Sequence, residues 1–349
     1  MSVPRRNHPG WRDEAATDLV LRHLPHLLEE GSVLVAKDPL SRLPEELNGL
    51  GVETRLWHRR ALGNRPATPW PDPGPCRQAF LRLSRSREEV EMDVHAVASV
   101  LEPRGAIFVY GAKDEGIASA AKSLEDLFEG VATVATGGRC RLWAGTLRDD
   151  ARPRAPLSAW RRPGTLEYDP LPEGWASYPG VFAHGRLDRG TRFLLDAFPS
   201  SVTDVTGGRI LDYGCGSGVV GGVVRVLRPD ADLHLLDVDS VALEAARENV
   251  PGARLHLRDG LPAPDDGPFD LIVSNPPFHR GKAEEPGMIR ELVRSSPGVL
   301  APKGGLVFVA QRRLKLEAVM GNVFRHVTVP ARDAAFQIWR GEKPRRRLS

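Results

Sequence analysis

The chain has 349 residues, of which 41% are hydrophobic and 27% are charged, a composition typical of soluble globular proteins of two ordinary domains. Its formal net charge of +3 neither requires nor excludes a nucleic-acid partner. The sequence contains no run of about 20 apolar residues, so it predicts no membrane span. The N-terminus also lacks the apolar segment of a secretory signal.

The cysteines indicate a reducing environment. There are only three, and none has a neighbour at metal-ligand spacing: Cys76, Cys140 and Cys215. We therefore expect a cytoplasmic protein without disulfides and without a bound metal.

The first half of the chain reads as an α/β fold with no ligand-binding loop. Residues 32–37 form an apolar strand that continues into Asp38 and Pro39 without a glycine cluster. Residues 79–83 form another strand, and the polar residues 84–87 follow it. The pattern predicts a sheet whose strand ends carry no recognisable site.

A proline-rich stretch separates two halves. Residues 148–180 contain six prolines and show neither the period of a strand nor that of a helix. We interpret the stretch as an ordered linker. The predicted organisation is therefore a first domain over residues 1–147, the linker, and a second domain over residues 181–349.

The two halves resemble each other. Residues 101–109 align with residues 300–308 at a shift of 199, and both read as a helix end, a Pro-basic-Gly turn and an apolar strand. At a shift of 196, Phe128 aligns with Phe324 and Trp143 with Trp339. One repeat of this size indicates a duplicated domain, of which the first copy has kept the fold and lost the site.

The second half alternates strands and helices in a regular way. Strands are predicted at 209–213, 232–237, 254–257, 269–274 and 306–310. Helices are predicted at 219–227 and 241–250, the second capped by Asp239 or Ser240. Such alternation favours a mostly parallel sheet covered by helices on both faces.

A glycine-rich loop follows the first of these strands. Gly214, Gly216 and Gly218 would let the backbone approach a ligand at the start of a helix, where free N–H groups point outward. Asp237 lies 21 residues after Gly216, where a ribose-binding acid is expected. This loop alone fits NAD and S-adenosylmethionine equally well.

Three further features favour S-adenosylmethionine. Asp212, inside the strand before the loop, is suited to hold the ammonium group of a methionyl moiety, which a dinucleotide lacks. Asp259, beyond the third strand, is suited to accept a hydrogen bond from an adenine amine. A motif of an asparagine, two prolines and a phenylalanine ends the fourth strand, at the same carboxyl edge of the sheet: Asn275, Pro276, Pro277 and Phe278.

The motif suits methylation of a planar amine. Asn275 offers a side-chain oxygen and Pro276 a backbone carbonyl to the N–H groups of a base, and Pro277 stiffens the turn. Phe278 offers a face on which the base can stack. Exocyclic amines of bases are poor nucleophiles, so two fixed acceptors that align the nitrogen are the help that the reaction needs.

The whole chain resembles the RsmC/RlmG group of bacterial ribosomal RNA guanine-N2 methyltransferases. The resemblance rests on residues 180–182, 187–191, 211–221 and 274–281, and, in the first half, on residues 111–117. It implies two tandem Rossmann-like class I methyltransferase domains, the first degenerate and the second with an intact site. The implied reaction is S-adenosylmethionine-dependent methylation of guanine N2 in ribosomal RNA, most simply of the small subunit.

The resemblance also implies residue roles. The methionyl part of the cofactor would contact Asp212, Gly214, Gly216 and Gly218, the ribose Asp237, and the adenine Asp259. The target guanine would enter at residues 275–278. Ala183 departs from the family, in which a serine is usual at this position.

Other functions stay open on the sequence. Adenine N6 and protein glutamine are methylated with nearly the same motif, and a non-catalytic RNA-binding assembly factor would keep the pocket without turnover. An NAD-dependent dehydrogenase would need a catalytic constellation that the sequence does not offer. The expected partner is ribosomal RNA or a ribosomal assembly intermediate, with the basic C-terminal tail as a candidate contact. We expect no membrane and a monomer that contains its own pseudo-dimer.

Overall fold

The structure is a computed structural model that describes residues 10–63, 65–197, 208–263, 266–276 and 285–345. The chain divides into two compact units. Unit 1 comprises Met1–Arg59 and Pro66–Arg161, and unit 2 comprises Arg60–Arg65 and Arg162–Ser349. The division at Arg161 falls within the proline-rich stretch.

Unit 1 is a six-stranded sheet flanked by helices, with strand order β2-β1-β3-β4-β6-β5. Its strands are β1 (Val33–Ala36), β2 (Thr54–Trp57), β3 (Cys76–Arg82), β4 (Leu101–Ala112), β5 (Phe128–Gly137) and β6 (Cys140–Leu147). Its helices are α1 (Trp11–Leu27), α2 (Arg42–Gly49), α3 (Arg87–Ala98) and α4 (Ala120–Leu124). Strands β1 to β4 pair in parallel, and β6 runs antiparallel to β4 and β5.

Both faces of this sheet are buried. Along β1, Leu34 belongs to the apolar cluster on one face and Val35 to the cluster on the other. A strand whose side chains are buried in both directions reads as a continuous apolar run, and all four residues of β1 are buried. Helices therefore cover the sheet on both sides.

Unit 2 is a seven-stranded sheet with strand order β11-β10-β9-β12-β13-β15-β14, next to a two-stranded ribbon of β7 and β8. Its strands are β7 (Arg162–Gly164), β8 (Trp175–Ser177), β9 (Arg209–Tyr213), β10 (Asp232–Asp237), β11 (Arg254–Leu257), β12 (Phe269–Ser274), β13 (Leu300–Gln311), β14 (Phe324–Thr328) and β15 (Phe336–Pro344). The described helices of this unit are α5 (Arg189–Asp196), α6 (Val219–Leu227), α7 (Ser240–Asn249), α8 (Glu285–Ser295) and α9 (Glu317–Val323).

Strand pairing confirms the predicted duplication. Val109 pairs with Trp143 in unit 1, and Phe308 pairs with Trp339 in unit 2, which are the positions related by the shifts of 199 and 196. Each copy also has a glycine on its last antiparallel strand, against which a phenylalanine ring packs, Gly145 with Phe128 and Gly341 with Phe324. Equivalent positions therefore pair in the same register in both sheets, as expected for a duplicated domain.

One predicted detail is wrong. The sequence predicts helix ends and turns for the segments that begin at Leu101 and Leu300, but both belong to strands, β4 and β13. In each copy the pairing register shifts near the strand start, between Cys76 and Gln78 and between Phe269 and Leu271. The Pro-basic-Gly sequence therefore produces an irregularity within a strand, because glycine and proline disturb a ladder as readily as they form a turn.

No helix within the described ranges is both long and apolar enough to cross a membrane.

Candidate active site

The glycine-rich loop joins β9 to α6 at the carboxyl edge of the sheet. Its glycines adopt φ values that other residues avoid, +73° at Gly214, +54° at Gly216 and +87° at Gly218. The amide of Gly214 donates to the carbonyl of Leu236 at 2.8 Å, which ties the loop to the neighbouring strand β10. The backbone of the loop is therefore held in an open turn at the start of a helix.

The glycines serve different purposes. A Cβ added at Gly216 would meet no atom within 4 Å, so this position faces open space that a ligand can occupy. A Cβ added at Gly218 would lie 2.9 Å from Val250 Cγ2 and 3.3 Å from Ala246 Cβ. Gly218 thus permits close packing of α6 against α7 and does not line the pocket that Gly216 faces.

The end of the proline-rich stretch supports this loop. The indole Nε1 of Trp175 donates to Ser217 Oγ at 3.0 Å. The Asn249 side chain accepts from the Ala176 amide at 2.7 Å and donates to the Ser217 carbonyl at 2.9 Å. The linker is therefore ordered here, and it holds the loop from the side of α7.

Two acids flank the loop, the buried Asp212 and the half-buried Asp237. Asp212 Oδ2 accepts from the Gly221 amide at 2.9 Å, and Asp237 Oδ2 accepts from the Gly216 amide at 2.8 Å. Burial raises the pKa of Asp212 to about 7 and that of Asp237 to about 6. Carboxyl groups whose pKa lies this close to neutral pH are characteristic of sites where a cationic or hydroxyl-bearing ligand replaces the lost solvent.

Asn275 is held by residues from a different part of the chain. Its Nδ2 donates to Thr191 Oγ1 at 2.8 Å and to Asp188 Oδ2 at 3.2 Å. Asp188 is the N-cap of α5 and accepts from the amides of Gly190 and Thr191 as well. A single carboxylate therefore caps the helix and anchors the asparagine amide.

This anchoring determines which way the amide points. A carboxylate only accepts hydrogen bonds, so the NH2 group of Asn275, and not its oxygen, must face Asp188. The opposite side of the amide, Oδ1, is buried and has no hydrogen-bond partner among the residues that the structure describes. A buried acceptor without a partner costs stability, and a ligand N–H that bonded to it would remove that cost. The Asn275 oxygen is therefore a preoriented acceptor.

The structure brings most of the predicted site residues together. Asp212, Gly214, Gly216 and Asn275 line one pocket, and Asp237 contacts its loop. Pro276 is buried beside Asn275, whereas Pro277 and Phe278 lie outside the described residues. Asp259 lies in the bend after β11, where its carboxylate accepts from the Gly63 amide.

Sequence reasoning assigns no role to several residues of this pocket. Asp188 and Thr191 line it together with side chains of the preceding segment, Phe182, Ala183, Arg186 and Leu187. Residues 187–191 contribute to the family resemblance without an assigned role, and their physical signal is only that of an aspartate in the N-cap position of a helix. Such a cap is so common that it does not reveal a second partner far along the chain.

The corresponding corner of unit 1 is filled by ion pairs. Lys37 directly follows β1, as Gly214 follows β9, and its Nζ lies 2.8 Å from Glu89 Oε1 and 2.6 Å from Asp93 Oδ2. Strand register makes Arg82 the counterpart of Asn275, since Leu81 pairs with Val109 as Ser274 pairs with Phe308.

Arg82 is buried and ion-paired, with its Nη2 lying 2.8 Å from Asp13 and 2.7 Å from Glu115. The counterpart of the asparagine thus lies two residues before the polar segment 84–87. Charged side chains that satisfy one another occupy the place of a glycine loop and an amide.

Over the described residues, no group of histidine, cysteine and acidic side chains could hold a metal ion. The three cysteines are free and buried.

A mostly parallel sheet with an antiparallel strand near one edge, a glycine loop after one strand, acids beside that loop and an Asn-Pro turn after the adjacent strand define a class I methyltransferase fold. Known proteins agree. Residues 175–340 match the family model described as methyltransferase small domain, and residues 17–162 match its N-terminal counterpart.

The chain belongs to the ribosomal RNA small subunit methyltransferase C family. It is 31% identical to the member from Hahella chejuensis over 84% of this chain and 90% of that protein. It is 30% identical to the member from Alcanivorax borkumensis over 94% of this chain and 98% of that protein. A solved 16S ribosomal RNA N2 methyltransferase (RsmC) from T. thermophilus, in complex with AdoMet and guanosine, has the same fold, with a TM-score of 0.78, 21% identity, and coverage of 96% and 93% of the two chains.

Proposed function

We propose that this protein transfers a methyl group from S-adenosylmethionine to the exocyclic N2 amine of a guanine in small-subunit ribosomal RNA. The observation that carries the proposal is the buried Asn275 Oδ1, which has no partner among the described residues and lies in a pocket shared with the glycine loop. The names of the relatives support guanine in the small-subunit RNA as the target.

The residues present fit the cofactor. Gly216 leaves open space beside the loop, and Asp212 offers a carboxylate to the ammonium group of the methionyl moiety. Asp237 is suited to the ribose hydroxyls, and Asp259 to the adenine amine. When bound, S-adenosylmethionine supplies an activated methyl group on a sulfonium centre.

The chain contributes alignment to the reaction. Asn275 Oδ1 and the Pro276 carbonyl accept the two N–H groups of the guanine amine, which turns the nitrogen lone pair out of the base plane. Both acceptors are fixed before the base arrives, Asn275 by Asp188 and Thr191, and the Pro276 carbonyl by the Pro276 ring together with the proline that follows it in the sequence. Preorganised polar groups are effective because they need no rearrangement during the reaction.

Transfer of labelled methyl groups tests the proposal directly. The purified chain would be incubated with methyl-labelled S-adenosylmethionine and, separately, with small subunits, large subunits, protein-free ribosomal RNA, DNA and a protein fraction. We expect N2-methylguanosine in digests of small-subunit RNA. Label only in N6-methyladenosine or in protein would overturn the proposal, and binding without any transfer would favour an assembly factor.

Thr191 provides a more local test of the alignment. Thr191→Val keeps the shape of this buried side chain and removes the hydroxyl that accepts from Asn275. We expect kcat to fall about tenfold, the worth of one hydrogen bond, with the KM for RNA nearly unchanged. Thr191→Ser restores the acceptor and should recover most of the rate. Equal activity of the two variants would remove Thr191 from the positioning of Asn275.

We propose further that unit 1 is a non-catalytic copy that contributes to RNA binding. The protein would act in the cytoplasm. It would be a monomer, because the duplication already supplies two copies of the fold within one chain. Lys343 and Arg345, which are exposed at the end of unit 2, suit phosphate contacts, whereas Arg340 is ion-paired with Glu342.

A further inference from the structure

A short segment from the N-terminal half of the sequence belongs to unit 2. Residues Arg60–Arg65 are preceded and followed in the chain by residues of unit 1. Arg60 forms an antiparallel bridge with Asp239, and the Ala61 amide donates to the Val238 carbonyl at 2.8 Å. The segment therefore runs along the turn that leaves β10, immediately after Asp237.

The other end of the segment meets a second strand end. The Gly63 amide donates to Asp259 Oδ2 at 3.2 Å. Because a carboxylate has two oxygens and about four acceptor positions, it can accept from this backbone donor and from a ligand amine as well. Gly63 thus helps to fix the carboxylate that is expected to receive an adenine amine.

The segment also contributes charge. The Arg60 Nε lies 3.7 Å from Asp239 Oδ2, and Asp239 caps α7. The same guanidinium opposes the rise in the pKa of Asp237 that burial causes. Residues 60–63 therefore act on the side chains at the ends of both β10 and β11, which is where the ribose and adenine of a nucleoside would lie.

We infer that residues 60–63 form part of the binding site for the adenosyl moiety of S-adenosylmethionine, with Gly63 orienting Asp259 towards the adenine amine. The inference rests on the proposed function. It makes the N-terminal half of the chain a direct contributor to the cofactor site. Nothing in the glycine loop or in the Asn-Pro turn would reveal this contribution.

Alanine at Gly63 tests the inference. Gly63 has φ +62°, and a Cβ there would meet no atom within 4 Å, so Gly63→Ala acts through backbone strain and not through a clash. Gly51 matches it closely, with φ +76° and equally open space, and it lies in the turn after α2 of unit 1. Titration calorimetry would measure the affinity of the full chain for S-adenosylhomocysteine.

We expect Gly63→Ala to weaken this affinity roughly fivefold, since a left-handed alanine is disfavoured and the segment would leave its position. Gly51→Ala should bind as the unmodified chain does. In the unmodified chain, hydrogen exchange of the amides of Ala61 and Gly63 should slow when S-adenosylhomocysteine is added.

The outcomes separate the two proposals. If the unmodified chain did not bind S-adenosylhomocysteine, the proposed function itself would fail. If the unmodified chain bound it and both alanine variants matched it, only the role of the segment would be overturned. Tighter binding by Gly63→Ala would also overturn that role, because the segment would then compete with the ligand.

Discussion

Asn275→Ala should abolish methyl transfer while leaving cofactor binding intact. The variant removes a preoriented acceptor that contacts the reacting amine, and loss of one such group typically lowers kcat by about 100- to 1,000-fold. Asp188 keeps its two backbone donors and continues to cap α5, so the fold should persist. Single-turnover rates with small subunits and calorimetry with S-adenosylhomocysteine would measure the two effects separately.

Asn275→Asp is the informative companion. It retains an oxygen at the acceptor position but replaces the NH2 group by a second oxygen, which would face the carboxylate of Asp188 without a hydrogen. We expect this variant to be nearly as inactive as Asn275→Ala, because the side chain must rotate away from its anchors. Turnover close to that of the unmodified chain in either variant would exclude Asn275 from the reaction.

Asp212→Asn should weaken binding of S-adenosylhomocysteine by about 10- to 100-fold, the range expected for a lost charge-assisted hydrogen bond. The pKa of Asp212 is about 7 in the free protein because the carboxyl is buried. A ligand ammonium group favours the ionised form, so binding must release a proton at lower pH. Affinity should therefore rise between about pH 5.5 and 7 in the unmodified chain and depend much less on pH in Asp212→Asn.

The contribution of Asp212 to folding stability changes with pH in the opposite direction to its contribution to ligand affinity. A carboxyl whose pKa is raised from 3.8 to about 7 by folding stabilises the folded state fully below pH 3.8, and this contribution is lost as pH rises through 7. Ionisation of Asp212 should therefore lower the melting temperature of the ligand-free chain as the pH rises from about 4 to 7. Acids whose pKa is lowered by folding have the opposite effect. Asp230→Asn, at an exposed carboxyl in the turn before β10, is the matched control and should change neither affinity nor its pH dependence. A steep pH dependence that persisted in Asp212→Asn would exclude Asp212 as its source.

The elements of unit 2 are largely predictable because their signals are local. The strands β9, β10, β11 and β12 have the bounds that the sequence predicts, since each is a short run rich in apolar residues with a glycine, aspartate or proline within two residues of its end. The glycine loop and the Asn-Pro turn follow two adjacent strands, and parallel strands end at one edge of a sheet. The amino-acid sequence alone is therefore enough to assign Asp212 and Asn275 to one pocket.

What the sequence does not predict depends on contacts between distant residues. Thr191 lies 84 residues from Asn275, and Gly63 lies 196 residues from Asp259. Thr191 belongs to a segment that resembles the family, but neither residue has a local pattern that reveals its distant partner. The strand start at Leu101 is mispredicted for a related reason, because only its pairing partner distinguishes an irregular strand from a turn.

Lys37 and Arg82 make unit 1 a poor starting point for engineering a second active centre. Arg82→Asn would recreate the amide but leave Asp13 and Glu115 without their shared cation, and the loss of both ion pairs would destabilise the fold. Replacing Lys37 by glycine would likewise remove the ion-pair partner of two carboxylates on α3. Each reversal is harmful until its neighbours change too, so the dormant copy is separated from activity by several mutations that must occur together.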